Sequence, residues 1–196
     1  TASSSVSLTV VADPSLSAPA VSTATICTGG TSNISSSVSG GTGTTTYQWQ
    51  YDNGGTWVPV ANGLPTGAVY VNANTATLTV SAISVPGTYN YRNSVVSTGD
   101  GCNTAFSSTG TITVVADPAA AAPTFTNPSV CTSGSTQVSS VVSGGTGTLG
   151  YQWQYFNGTW ASVVNGTPAG AVYTNQNTAT MTISGIVPLG SYQYRL

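Results

Sequence analysis

Charge is almost absent from this chain. Of 196 residues only 3% are charged, two Arg and four Asp, with no Lys, Glu or His, whereas a typical soluble domain carries about 25%. General acid and base catalysis draws on His, Glu, Asp or Lys set close together. The whole carboxylate supply here is Asp13, Asp52, Asp100 and Asp117, scattered along the chain. Paired carboxylates, a His/Cys zinc cluster, a Ser/His/Asp set and a phosphate-cradling loop ending in Lys are all out of reach. No enzyme activity, catalytic residue, metal or cofactor is therefore expected. Nucleic-acid binding relies on Lys and Arg neutralising phosphates, so two cations in a chain of net charge −2 argue against it. The lack of Lys also excludes Lys–Asn crosslinks. No apolar run approaches the ~20 residues of a membrane-spanning helix, so no membrane insertion is expected. The start has no basic stretch followed by an apolar segment, and a secretory leader is expected to lie outside this stretch.

What is present is core-forming material. The hydrophobic fraction is 39%, with four Trp and ten Tyr, which sets the chain apart from disordered Ser/Thr-rich sequences. The strongest signal is repetition. VVADP at 10–14 recurs at 114–118, Cys27 at Cys131, SGGTGT at 39–44 at 143–148, and YQWQY at 47 at 151, all at an offset of 104. After NGGTW becomes NGTW the offset is 103, through Trp57/Trp160, GAVY, NTAT and Tyr89/Tyr192. That period is a whole domain rather than a solenoid unit. Residues 3–11, SSSVSLTVV, match 107–115, SSTGTITVV. The expected organisation is 1–11 as the last strand of a preceding repeat, 12–115 as repeat 1, and 116–196 as repeat 2 without its last strand.

Short runs rich in Thr, Val, Tyr and Ile alternate with Gly, Asn and Pro, and no apolar period of 3.6 persists, so the expected class is all-β. Expected strands in repeat 1 are 20–26, 32–39, 45–51, 57–60, 68–71, 75–83, 87–97 and 104–115, a spacing that suits a two-sheet sandwich. Alternation over 47–51 puts Tyr47, Trp49 and Tyr51 on one face and Gln48 and Gln50 on the other. Three rings on one face imply the core. DNGG at 52–55 and FNGT at 156–159 carry the Asn-Gly pair of a tight hairpin, and Trp57 starts the return strand.

A Trp on the third strand, then L-x-V-x-x-I at 78–83 and G-x-Y at 87–89, resembles the immunoglobulin-like sandwich, with Trp49 as core Trp and Tyr89 as corner Tyr. Trp153, Met181, Ile183, Ile186, Gly190 and Tyr192 repeat the pattern. Tyr91 and Tyr194 stand where antibody domains place the inter-sheet Cys. A nearer resemblance is to the Ig-like and PKD-like tandem repeats of large Bacteroidetes surface proteins, including gliding-motility adhesins exported by type IX secretion. ICTGG at 26–30, YQW at 47–49, PGTYNY at 86–91, GDGC at 99–102 and TITVVADP at 111–118 carry it. The resemblance implies extracellular stalks, fibres or adhesins whose partners are neighbouring repeats of the same array. Surface glycans are a second class of partner, and head-to-tail self-association by addition of the strand SSSVSLTVV is a third.

Individual residues carry further expectations. A low-charge Ser/Thr-rich sandwich array reads as extracytoplasmic, which favours a Cys27–Cys102 disulfide over two free thiols; Cys131 would find its partner beyond Leu196. Trp57 and Trp160 are the candidates for an exposed aromatic, glycan-contacting surface, set against packing at the core or its edge. Asp13 and Asp117, one per VVADP junction, are thin provision for calcium and read more simply as Asp-Pro turns. For Arg92 and Arg195, on the face opposite the Tyr rings, a surface salt bridge is the default. Asn33, Asn157 and Asn165 head glycosylation tripeptides.

Overall fold

The computed structural model describes residues 3–196; Thr1 and Ala2, the start of the segment assigned to a preceding repeat, lie outside the described residues. The chain divides into two compact units, Thr1–Ala116 and Asp117–Leu196. Residues 3–11 form no strand, and Val6, Leu8 and Val10 are almost fully exposed.

Unit 1 is built from β1 (Ser15–Leu16), β2 (Ala20–Val21), β3 (Thr25–Cys27), β4 (Thr31–Ser35), β5 (Val38–Ser39) and β6 (Thr45–Asp52), followed by β7 (Trp57–Pro59), β8 (Val69–Val71), β9 (Thr77–Ser81), β10 (Gly87–Ser97), β11 (Ala105–Phe106) and β12 (Gly110–Val115). One sheet runs β2-β4-β9-β8 and the other β3-β12-β10-β6-β7, with β11 also on β10 and a short β1-β5 pair beside them. The strands β2, β4, β9 and β8 thus share one sheet, while β6, β10 and β12 share the other. This is the immunoglobulin-like layout. The corner is also formed: Tyr89 Oη donates to Val85 O at 2.8 Å, a bond that ties the start of β10 to the preceding turn.

Alternation sets the core. Along β10 the burial pattern alternates with period two from Tyr89 to Ser97, and Trp49, Ile34, Leu78, Val80, Ile112 and Tyr91 are fully buried between the sheets. Trp49 Nε1 donates to Thr75 O at 2.9 Å, so the indole's one polar group is satisfied inside. Tyr51 stays half-buried at the edge of this cluster, packed on Tyr89 and Tyr91 with centroids 6.3 and 5.7 Å away. Tyr47, although on the same face, is outside the cluster.

Two expected strands are broken, each for a physical reason. The run 20–26 changes sheets: Ala20 and Val21 pair antiparallel with β4, whereas Thr25–Cys27 pairs parallel with β12. Ser32, on β4, holds the crossing segment by donating its hydroxyl to Thr23 O at 2.8 Å. The run 104–115 contains a bulge. On β10, Tyr91 faces Gly110 and Ser94 faces Phe106, so three residues on one strand oppose two on the other. Ser107 fills the bulge, its N–H donating to Asn93 O and its Oγ accepting from Asn93 N–H, both at 2.9 Å.

The expected Cys27–Cys102 disulfide is not formed; Cys27, Cys102 and Cys131 are all free thiols. The reason is topological. Cys27 pairs with Val115, at the end of unit 1 where Val114 faces Gly87. Cys102 follows β10 past Ser97, beside Thr42, whose Oγ1 is 3.8 Å from its sulfur. The 11 residues of β10 separate the two ends, roughly 30 Å at the rise of a strand, and a disulfide needs Cα atoms within about 7 Å. Alkylation without reductant is expected to label all three cysteines of the monomer. A mass lower by two protons together with a single labelled thiol would contradict this placement.

Unit 2 comprises β13 (Ala119–Ala120), β14 (Thr124–Phe125), β15 (Ser135–Ser139), β16 (Val142–Ser143), β17 (Gln154–Phe156), β18 (Trp160–Ser162), β19 (Val172–Thr174), β20 (Thr180–Ser184) and β21 (Tyr194–Arg195). Its sheets are β14-β15-β20-β19 and β18-β17-β21, with β13-β16 beside them. Trp153, Val138, Met181 and Ile183 form its core, and Trp153 Nε1 donates to Thr178 O at 2.9 Å, the counterpart of Trp49. The corner recurs as Tyr192 Oη donating to Pro188 O at 2.6 Å. A groove of about 350 Å³ runs past Phe125, Val130, Cys131, Ile183, Tyr192 and Tyr194, the side on which unit 1 carries β3 and β12.

Candidate functional site

Two features stand out from the sandwich itself: a tyrosine pair inside and an aromatic row outside. Tyr91 and Tyr70, from facing sheets, meet with hydroxyls 3.2 Å apart, and Tyr70 Oη donates to Leu64 O at 2.9 Å. Their rings meet edge-on with centroids 6.0 Å apart. Burial pushes the Tyr70 phenol up to about 12, against the opposing effect of its hydrogen bond with Tyr91, and pushes Tyr91 well above the ordinary phenol range. Unit 2 repeats the arrangement: Tyr173 and Tyr194 hydroxyls are 3.1 Å apart, Tyr173 donates to Thr167 O, and burial raises both phenols. Tyr91 occupies the place on β10 where an antibody domain has one Cys of its inter-sheet disulfide, but its partner Tyr70 comes from β8 and not from β4, where the other Cys would stand. The pair is structural in geometry: Tyr194 borders the groove of unit 2, and among the described residues no charged side chain bonds to either pair.

The outer row begins at the hairpin. Asn53 N–H donates to Thr56 O at 2.8 Å, Asp52 Oδ1 accepts from Gly55 N–H at 2.6 Å, and Gly54 and Gly55 take the positive φ that the turn needs. This tight closure pairs Asp52 directly with Trp57, so Trp57 shares the outward face with Gln50 and lies outside the core cluster. Gln50 is in register with Arg92 on β10. Arg92 Nε donates to Gln50 Oε1 at 2.7 Å, and its guanidinium lies over the Trp57 ring at 4.5 Å and over the Phe106 ring at 4.4 Å. Unit 2 builds the same group: Arg195 Nε donates to Gln154 Oε1 at 2.7 Å and lies over Trp160 at 4.5 Å, with Phe156 packed on Trp160 at 5.2 Å.

The salt bridge expected for these Arg residues is not formed among the described residues. The residue in register with each Arg is a Gln, while Asp52 is engaged in its own turn and Asp13 accepts from the Asn103 amide at 2.8 Å. Trp57→Ala is expected to cost only about 1 kcal/mol, the scale of an exposed cation–π contact, in urea unfolding of the full chain. A loss comparable with that of a core Trp would place the ring inside.

Phe106 was not readable as part of this row. In the register of Ile112 and Val114 it would face the core; the extra residue at the bulge turns it outward, onto Arg92, where it is 49% exposed. Only the GC and SS punctuation around it hinted at an irregular strand. The three glycosylation tripeptides are not brought together, and two of their Asn side chains are engaged in the fold: Asn165 Oδ1 accepts from Tyr173 N–H and Asn33 Oδ1 from Thr79 Oγ1, each at 2.8 Å. Asp13 sits at a loop contact and no group of three or more metal-ligating side chains occurs among the described residues.

No family of known sequences and no curated protein matches the chain. Among solved structures it is similar to the N-terminal eight Ig domains of the Down syndrome cell adhesion molecule, isoform 1.30.30, at 13% identity over 93% of this chain with a TM-score of 0.45. It is also similar to the amphioxus IgVJ-C2 molecule, at 13% identity over 87% of this chain and 96% of that one, with a TM-score of 0.36. The chain spans about a quarter of the first of these, 26%. Its assignment to the immunoglobulin-like sandwiches rests on its own strand order and tyrosine corners.

Proposed function

We propose that this chain is a non-enzymatic, extracellular repeat of a large bacterial surface protein of the Bacteroidetes adhesin kind, working as part of a stalk or fibre. One observation carries the reading. The chain enters unit 1 beside Gly41, where Ala12 O accepts from Gly41 N–H, and leaves it at Val115, past the opposite end of β10. β3 and β12 run parallel between those ends, tied also by Thr113 N–H to Ala24 O and Thr28 N–H to Val115 O. Tension applied across the unit pulls β3 from its start and β12 from its finish, so their hydrogen bonds are sheared together instead of being peeled one at a time. A domain whose task is to transmit pull profits from that geometry.

The repetition of a closed sandwich with almost no charge supports the same role, because few of its contacts weaken with salt. Pulling the chain from both ends in a single-molecule instrument should unfold unit 1 in one discrete step of roughly 30 nm, the contour length of ~100 residues less its folded span. Smooth extension without a step would refute the stalk reading. A carbohydrate-binding sandwich is the second reading, favoured by the outward row of Trp57, Arg92 and Phe106.

A further inference from the structure

The chain has two cations, and both are placed identically: on the outer face of the same sheet, over an aromatic ring, bound through Nε to a Gln. A guanidinium has five N–H donors in a rigid fork and stays charged. The Gln takes one, and among the described residues no protein acceptor takes the other four. Each Gln thereby fixes the orientation of the fork without neutralising it. Arg92 is half-buried on this face, with Trp57 half-buried and Phe106 exposed beside it.

The bulge makes this more than packing. A regular β11–β12 strand would have put Phe106 into the core, where a large apolar ring gains most. Instead one extra residue turns it out to solvent, onto the guanidinium, and the smaller Ser107 is turned inward in its place. Bulges occur preferentially where a strand must re-aim a side chain beside a site. The product is an unneutralised, oriented fork walled by flat apolar rings.

We infer that Trp57, Arg92 and Phe106 in unit 1, and Phe156, Trp160 and Arg195 in unit 2, form a repeated binding site for the carboxylate of an acidic saccharide. The free edge of the fork accepts a carboxylate bidentately, and the rims of the rings that flank the guanidinium border the pyranose that bears it. Two such sites on one chain raise the apparent affinity for a polymer through linkage. This deepens the adhesive reading and rests on it, giving the fibre an anionic polysaccharide to hold.

The test titrates the full chain calorimetrically, at low salt, with tetramers of galacturonate, glucuronate and guluronate, with methyl-esterified tetragalacturonate, and with pentaglutamate. At least one uronate should bind, its ester should bind at least tenfold more weakly, and R92Q combined with R195Q should lose at least tenfold affinity. R92K with R195K keeps the charge and removes the fork, and should also lose most of the binding; it carries the test if the Gln variants lower the melting temperature. No binding by any uronate, equal binding of acid and ester, or equal binding of pentaglutamate would each overturn the acidic-saccharide site. None of these outcomes touches the stalk reading, which stands or falls on the discrete unfolding step.

Discussion

Replacing Trp49 with Ala should lower the stability of unit 1 by about 3–5 kcal/mol, read as a fall in the urea midpoint with an unchanged slope. The indole is fully buried between the two sheets, against Ile34, Leu78 and Tyr91. Truncation removes its apolar contacts and leaves a cavity that β6 cannot close. The strand is held at this point from both sides, Trp49 N–H donating to Ala73 O at 3.0 Å and Trp49 O accepting from Val60 N–H at 3.1 Å. Thr75 O also loses the donor at 2.9 Å that satisfies it. Trp49→Phe retains much of the volume and loses that donor, so it should cost about 1–3 kcal/mol. A loss below about 1 kcal/mol for the Ala variant would mean that the ring is not at the centre of the sandwich. Trp153→Ala should act in the same way on unit 2, where the ring is equally buried and bonded to Thr178 O.

Tyr91→Ala should be as damaging, at about 3–5 kcal/mol, whereas Tyr91→Phe should cost about 1 kcal/mol, since Tyr70 keeps its bond to Leu64 O. The two variants also separate on the alkaline side. Below pH ~10 the phenol is neutral in both states, and the pair's contribution is fully present. Above that, the unfolded chain releases the proton while the buried phenol retains it, so the unfolded state binds fewer protons and stability falls as pH rises toward the folded value. For Tyr70 that value is about 12, and for Tyr91 it is higher. With no His to titrate between pH 5 and 8, the urea midpoint should be flat from about pH 6 to 7 and drop beyond about pH 10. Tyr91→Phe should make that drop shallower while leaving the share of Tyr70, which stays buried. An unchanged alkaline limb in this variant would show that the pair is not the group responsible.

Trp49, Tyr89 and the hairpin at 52–56 were legible because each depends on a local rule: alternation along a strand, a Gly-x-Tyr corner, an Asn-Gly turn. The repeat offset made the same rules visible twice. What was hidden depends on partners distant in sequence. Thr25–Cys27 leaves one sheet for the other because β12, nearly ninety residues later, offers it a parallel edge, and no property of ICTGG announces that. Phe106 faces outward because of one extra residue opposite Arg92 and Asn93. That residue cannot be located until the register is known on both of its sides. The outer position of Trp57 follows from the hairpin, but its partnership with Arg92 crosses an intervening strand. The sequence also showed Arg92 and Arg195 at matching places without showing that a Gln, and no carboxylate, would face each of them.

The separation of Cys27 from Cys102 has a mechanical meaning. A disulfide within a domain shortens what force can extract from it, as a knot shortens a rope. Thiols at opposite poles, one beside the incoming chain and one beside the outgoing chain, cannot act in that way on their own domain. Whatever either sulfur bonds to lies beyond unit 1. A crosslink from such a pole is a splice between lengths, which adds to the joint and leaves the domain free to yield.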